Sequence, residues 1–166
     1  MRIEVAFPLA VIVSSVLSGC ATQLLGNPDC VKVVVAHPGD TKSIENVGVV
    51  IFDRFVTAVQ IDGQYKHKFT TLSASCGALQ GANLNEQLHL TPGVHVLQLV
   101  YAEGANGSFT KNWTPFVVQI SAGNVFQIKS VLNEKRTSVS FVGVDAPDQK
   151  EFVVKRFNEV LAINNR

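Results

Sequence analysis

Charge is scarce in this chain. Asp, Glu, Lys and Arg make up 16% of its 166 residues, and 14 cationic against 13 acidic side chains leave a formal net charge of +1. That balance argues against a nucleic-acid binder, which carries a basic excess or stripe. Disorder is excluded as well, because 46% of the residues are hydrophobic. Several chemical signatures are missing. No Gly-x-Ser-x-Gly elbow presents a nucleophile, and no glycine-rich phosphate loop precedes a helix. Cysteines number only three, an odd count that needs a reason in an exported chain.

What is present begins at the N-terminus. Arg2 supplies a small positive region, weakened by Glu4, and residues 5–17 are apolar apart from Pro8, Ser14 and Ser15. Thirteen residues fall short of the roughly 20 that cross a bilayer, and they suit the core of an export signal. The run ends in Leu17-Ser18-Gly19-Cys20, which resembles the lipobox of bacterial lipoproteins. The competing readings are a plain signal peptide or a buried helix that ends in Gly-Cys. The resemblance implies that residues 1–19 are removed and that Cys20 becomes an acylated N-terminus carrying diacylglyceryl and an amide-linked palmitate-type chain. One chain holds marginally, at about 0.8 kcal/mol per buried methylene, and two or more hold stably. Ala21 stands where an Asp would retain such a protein at the inner membrane. The implied location is therefore an outer-membrane lipid anchor in a bacterial envelope, facing the periplasm.

With Cys20 assigned to lipid, Cys30 and Cys76 remain as an even pair in an oxidising compartment. A disulfide between them is expected, with two buried thiols or a metal pair with a histidine as alternatives. Closing 46 residues of chain is worth about 4 kcal/mol in the loop-entropy picture. Such a bond pins the first strand to the body of the fold.

Residues 20–30 form the acylated N-terminus and a short tether. From residue 31, short β-rich runs alternate with turn signals every 8–15 residues, which predicts an antiparallel β-sandwich, immunoglobulin-like or prealbumin-like, over residues 31–145. Residues 31–36, apart from Lys32, and 47–52 are apolar runs, as in central strands buried on both faces. Asp62-Gly63 is a strong hairpin signal leading into residues 65–72, and Asn106-Gly107 is a second. Thr91-Pro92-Gly93 and Ala122-Gly123-Asn124 mark further turns, and residues 116–120 alternate in polarity. Nine or ten strands are expected. The period then changes: Asp145 offers a cap, Pro147 a first turn, and Val153, Phe157, Val160 and Leu161 recur at helical spacing. This predicts a C-terminal amphipathic helix within residues 146–166, packed on one sheet.

The turns Ile61-Asp62-Gly63, Pro92-Gly93-Val94-His95 and Ala122-Gly123 occur in the order found in PEGA-type and transthyretin-like sandwich modules of bacterial envelope proteins, which residues 47–131 resemble. The resemblance implies a sandwich and no catalysis.

A metal reading of His37, His67, His89 and His95 needs a third ligand. His89 and His95 flank one turn, but Glu86 is the nearest carboxylate and no recognised spacing appears. A His95 hydrogen-bonded to backbone is the better reading, and no metal or other cofactor is expected. Asp53, Asp62, Glu86, Glu103 and Asp145 fall at strand ends or turns, where acidic residues serve solubility. Cys76 sits in a Ser-Cys-Gly context better suited to a disulfide than to nucleophilic attack. An enzyme is therefore not expected. Tyr101, Phe109 and Trp113 around the Asn106-Gly107 turn are the candidate ligand surface, since exposed rings stack on sugars or anchor protein partners. Against this stands a core role for Tyr101 and Phe116, with Trp113 capping a sheet edge. Lys66, His67 and Lys68 form a small basic cluster that suits anionic lipid or peptidoglycan, or simply a solvated hairpin edge. The function expected is that of a lipid-anchored envelope protein that binds another envelope protein without catalysis. The alternative is a module that binds peptidoglycan or another glycan.

Overall fold

The computed structural model describes residues 30–38, 43–74, 85–103, 109–110, 114–135 and 137–165. They form two sheets and one α-helix, the sandwich with a C-terminal helix that the sequence predicts. Eleven strands occur among the described residues. The larger sheet contains β1 (Val31–Ala36), β2 (Gly48–Phe52), β5 (Thr70–Ala74), β6 (Asn85–Leu90), β10 (Val125–Leu132) and β11 (Val139–Asp145), in the order β11-β10-β2-β6-β1-β5. The smaller sheet runs β4-β3-β7-β8, from β4 (Gln64–Tyr65), β3 (Val56–Ile61), β7 (Gly93–Glu103) and β8 (Phe109–Thr110), with β9 (Thr114–Ile120) also paired to β7. The larger sheet is mixed and not purely antiparallel as expected, because β1 lies parallel to β6 and β2 parallel to β10.

Three layers result. Val34, Val50, Leu88, Leu90 and Ile128 face the smaller sheet, meeting Ile61, Leu97, Leu99, Val118 and Ile120 in one core. The alternate positions Val31, Val33, Val35 and Val49 face the opposite way and form a second core with Val153, Phe157 and Val160 of α1 (Lys150–Asn164). A sheet apolar on both faces has to be covered on both, which is why the valine runs of β1 and β2 show no regular polar alternation, Lys32 being their one charged residue.

The connections determine what lies near what. Asp62 (φ 49°) and Gly63 (φ 77°) join β3 and β4 in the type I′ geometry expected of Asp-Gly, both central residues having positive φ. The other turns predicted to link neighbours carry the chain from one sheet to the other. Thr91-Pro92 passes it from β6 to β7, and Ser121–Asn124 from β9 to β10. A 3-10 turn at Lys66–Lys68 splits the strand expected over residues 65–72, sending its second half to the edge of the larger sheet. The Asn106-Gly107 turn lies outside the described residues. At the C-terminus, Asp145 is not a helix cap: it ends β11 opposite Phe126. A 3-10 turn at Pro147–Gln149 leads into α1 instead, and Ala146 precedes it without a side-chain cap.

The sheets pinch together at Gly48. A Cβ built on that residue falls 2.3 Å from Cγ1 of Ile120 across the sandwich. Gly48→Ala is therefore expected to destabilise the fold by about 1–3 kcal/mol through overpacking, measured as a lowered midpoint in urea at neutral pH. An unchanged midpoint would show that Ile120 retreats freely.

Candidate functional site

Cys20 and Cys76 lie outside the described residues, as do Trp113 and the side chain of Phe109. Cys30 is fully buried at the start of β1 and is disulfide-bonded. Its partner lies outside the described residues. The antiparallel register sets Val31, the residue after Cys30, opposite Ala74.

Tyr101 does not offer a ring to a ligand. It is 2% exposed in the inter-sheet core, and its hydroxyl donates to Glu103 Oε2 at 3.0 Å. Phe55 packs edge-on against it with centroids 5.9 Å apart. Phe55 itself has φ 71°, a strained value for a bulky residue, and this turns its ring inward at the sheet-to-sheet crossing that follows β2. Its carbonyl is held by the amide of Ala102 at 2.9 Å, and Arg54 lies 4.7 Å over the ring. Phe116 is likewise half-buried against the same core.

The histidines are dispersed. His89 and His95 do not sit on paired strands, because β6 and β7 belong to different sheets. His95 is buried, with Nδ1 2.7 Å from Asp62 Oδ2 and Nε2 2.8 Å from the Thr91 carbonyl. Both ring nitrogens are thereby engaged. Asp62 also accepts the Val96 amide at 2.8 Å, so one carboxylate ties the β3–β4 turn to β7. His89 faces the helix. Its Nε2 lies 3.2 Å from Gln87 Oε1, Gln87 Nε2 donates to the Val153 carbonyl at 3.2 Å, and the ring sits 4.7 Å from that of Phe157. Burial, with His37 as a second and lesser cause, pushes the His89 pKa down to about 3. His67 stacks on Tyr65 at 5.6 Å, and the His37 ring lies 3.4 Å from the Pro38 carbonyl. No group of three or more His, Cys, Asp or Glu converges among the described residues.

Two further expectations need correction. Glu86 is not a soluble strand-end residue. It is buried, and Lys66 Nζ reaches its carboxylate oxygens at 2.9 and 2.8 Å, with Thr57 Oγ1 donating to Oε1 at 3.0 Å. Lys66 thereby leaves the supposed basic cluster and becomes an internal clasp between the two sheets. Asp53 is likewise engaged, accepting from the Arg54 amide and from the amide and hydroxyl of Ser130.

Among the described residues, the outer face of the smaller sheet is one that exposes several apolar side chains. Val94 (63% exposed) and Val96 on β7 point outward with Val117 (64% exposed) on β9. Val96 is paired directly with Val117, Val94 with Gln119, and Gln98 with Pro115. Strands β3 and β9 contain no charged residue, and β7 has only the buried His95 and the terminal Glu103. Sequence alternation at residues 116–120 foretold which side of β9 is buried, but not that its neighbour on β7 would add valines to the wet side. A scan of protein families, of curated proteins and of solved structures finds no match to this chain.

Proposed function

We propose that this chain is a lipid-anchored bacterial envelope protein whose sandwich binds another envelope protein without catalysing a reaction. The observation that carries the reading is Leu17-Ser18-Gly19-Cys20 at the end of a 13-residue apolar run, ten residues ahead of the buried Cys30. Acylated Cys20 is the membrane contact, and the tether between the two cysteines keeps the domain near the outer membrane on its periplasmic side. A disulfide from Cys30 to Cys76 fastens the tethered end to β5 and fits the antiparallel register of β1 with that strand. Such an anchor needs no spanning segment, and among the described residues no helix is long and apolar enough to cross a membrane. The uncharged valine face of β7 and β9 is suited to a protein partner: it supplies flat apolar area with little desolvation of charge. The glycan reading is weaker, since burial removes Tyr101 from its set of rings.

Cys20→Ser is expected to abolish incorporation of labelled palmitate and to leave the full-length precursor. In the mass spectrum of the wild-type protein, alkylation without reductant is expected to add nothing at Cys30 or Cys76. Unchanged labelling of the Cys20→Ser protein would refute the anchor. Absence of any stoichiometric envelope protein after crosslinking in cells would refute the binding half.

A further inference from the structure

The two cores share strands but no residues. One lies between the sheets, and the other lies between the larger sheet and α1. The second contains the polar pair Gln87 and His89, both essentially without solvent contact. Beneath the helix these side chains hydrogen-bond to each other and to one backbone carbonyl, Val153 O. The imidazole is surrounded by neutral groups. In register on either side stand Val35 of β1 and Val49 of β2, and α1 presents Phe157. The charged side chains of α1 are directed elsewhere: Arg156 pairs with Glu159 at 3.0 Å, Lys150 with Glu45 at 3.7 Å, and Glu151 and Lys155 are exposed to solvent. Glu86, on the same strand as His89, is held by Lys66. Among the described residues, the charge that acts on the ring is that of His37.

Helix α1 is poorly equipped to persist alone. It has 15 residues, no side-chain N-cap, and β-branched Val153, Val154, Val160 and Ile163. Its attachment to the sheet is mainly apolar; the side-chain hydrogen bonds seen among the described residues run from Gln87 Nε2 to Val153 O and from Asn164 Nδ2 to Ser73 O on the edge strand β5, each at 3.2 Å.

We propose that α1 is an acid-released layer: protonation of His89 undocks Lys150–Asn164 from the larger sheet, baring the valines of β1 and β2 and the β5 edge while the sandwich stays folded. The sign follows from linkage. Docked, His89 stays neutral down to about pH 3, whereas in the open form it regains its ordinary pKa of 6.5. The open form thus binds more protons throughout that interval, and acid favours it. Between pH 7.5 and pH 5.0 the opening constant of α1 rises about thirtyfold. The inter-sheet core contains no His89 contact and is not weakened with it. The inference does not depend on the lipid anchor or on any partner.

Hydrogen exchange of the full chain at the two pH values, corrected for intrinsic rates, tests it. Amides of 150–164 are expected to lose about thirtyfold of their protection at pH 5.0, while those of β3, β7 and β9 keep theirs. In His89→Gln, which retains a neutral donor beside Gln87, protection of α1 becomes independent of pH. Uniform loss over both sheets, or the same acid loss in His89→Gln, would overturn the proposal. If that variant does not fold, histidine-selective NMR of the unaltered protein decides. Proton uptake by His89 must coincide with exchange of the α1 amides, and a His89 that protonates beneath a still-protected helix sinks the idea.

Discussion

Phe157→Ala is expected to destabilise the protein by about 3–5 kcal/mol, the range for removing a fully buried aromatic ring. Phe157 is 2% exposed, lies among Val31, Val33, Val49 and Val153, and meets the His89 ring at 4.7 Å. Its loss leaves a cavity that the sheet cannot close, because strand spacing is fixed by the hydrogen-bond ladder. With a urea slope of about 2 kcal/mol per molar for a domain of this size, the midpoint at pH 7.5 falls by roughly 2 M. The internal control is Phe152, one turn earlier and 42% exposed, with Arg156 5.4 Å from its ring. Phe152→Ala should change stability by about 0.5 kcal/mol or less. Equal losses in the two variants would show that α1 is not held through Phe157. Since typical domains have only about 5–15 kcal/mol in total, the Phe157 variant is expected to lie near its unfolding threshold.

The second large effect belongs to the inter-sheet clasp. Glu86→Ala leaves the Lys66 ammonium beside Thr57 with no counter-charge, at a side-chain exposure of only 18%. Breaking a buried pair from one side costs about 3–5 kcal/mol, and the partial access of water to Lys66 places this pair near the lower end. The remedy distinguishes the mechanism. Lys66→Met combined with Glu86→Leu removes both charges and fills the same space with apolar atoms, and should recover most of the loss. A double-mutant cycle measured by urea unfolding is expected to give a coupling of about 2 kcal/mol. Additive single effects would mean that each side chain acts by its packing alone.

Much of the architecture was legible in local chemistry. The Asp62-Gly63 turn formed as expected because only residues tolerant of positive φ fit a type I′ hairpin. The burial of Val153, Phe157 and Val160 followed from a 3.6-residue period, and the double burial of β1 and β2 from runs that are apolar apart from Lys32. The candidate ligand rings were less legible, since a tyrosine on an alternating strand looks the same whether its ring faces a core or water. Tyr101 proved to be core.

Periodicity tells which side of a segment is apolar; it does not tell which distant segment will cover that side. In β6 the run Asn-Glu-Gln-Leu-His-Leu resembles a half-exposed strand, yet Gln87 and His89 are sealed beneath a helix more than sixty residues later in the chain. In the same way Glu86 meets Lys66, and Asp62 meets His95, only because turns that could have closed hairpins carry the chain between sheets. Turn propensity, strand content and the two-faced burial of β1 and β2 are local properties and were determined by the sequence alone. The mixed strand order, the internal ion pair and the neutral histidine under α1 arise from long-range packing, where desolvation and the partner across the layer set the energy, and only the tertiary structure decided them.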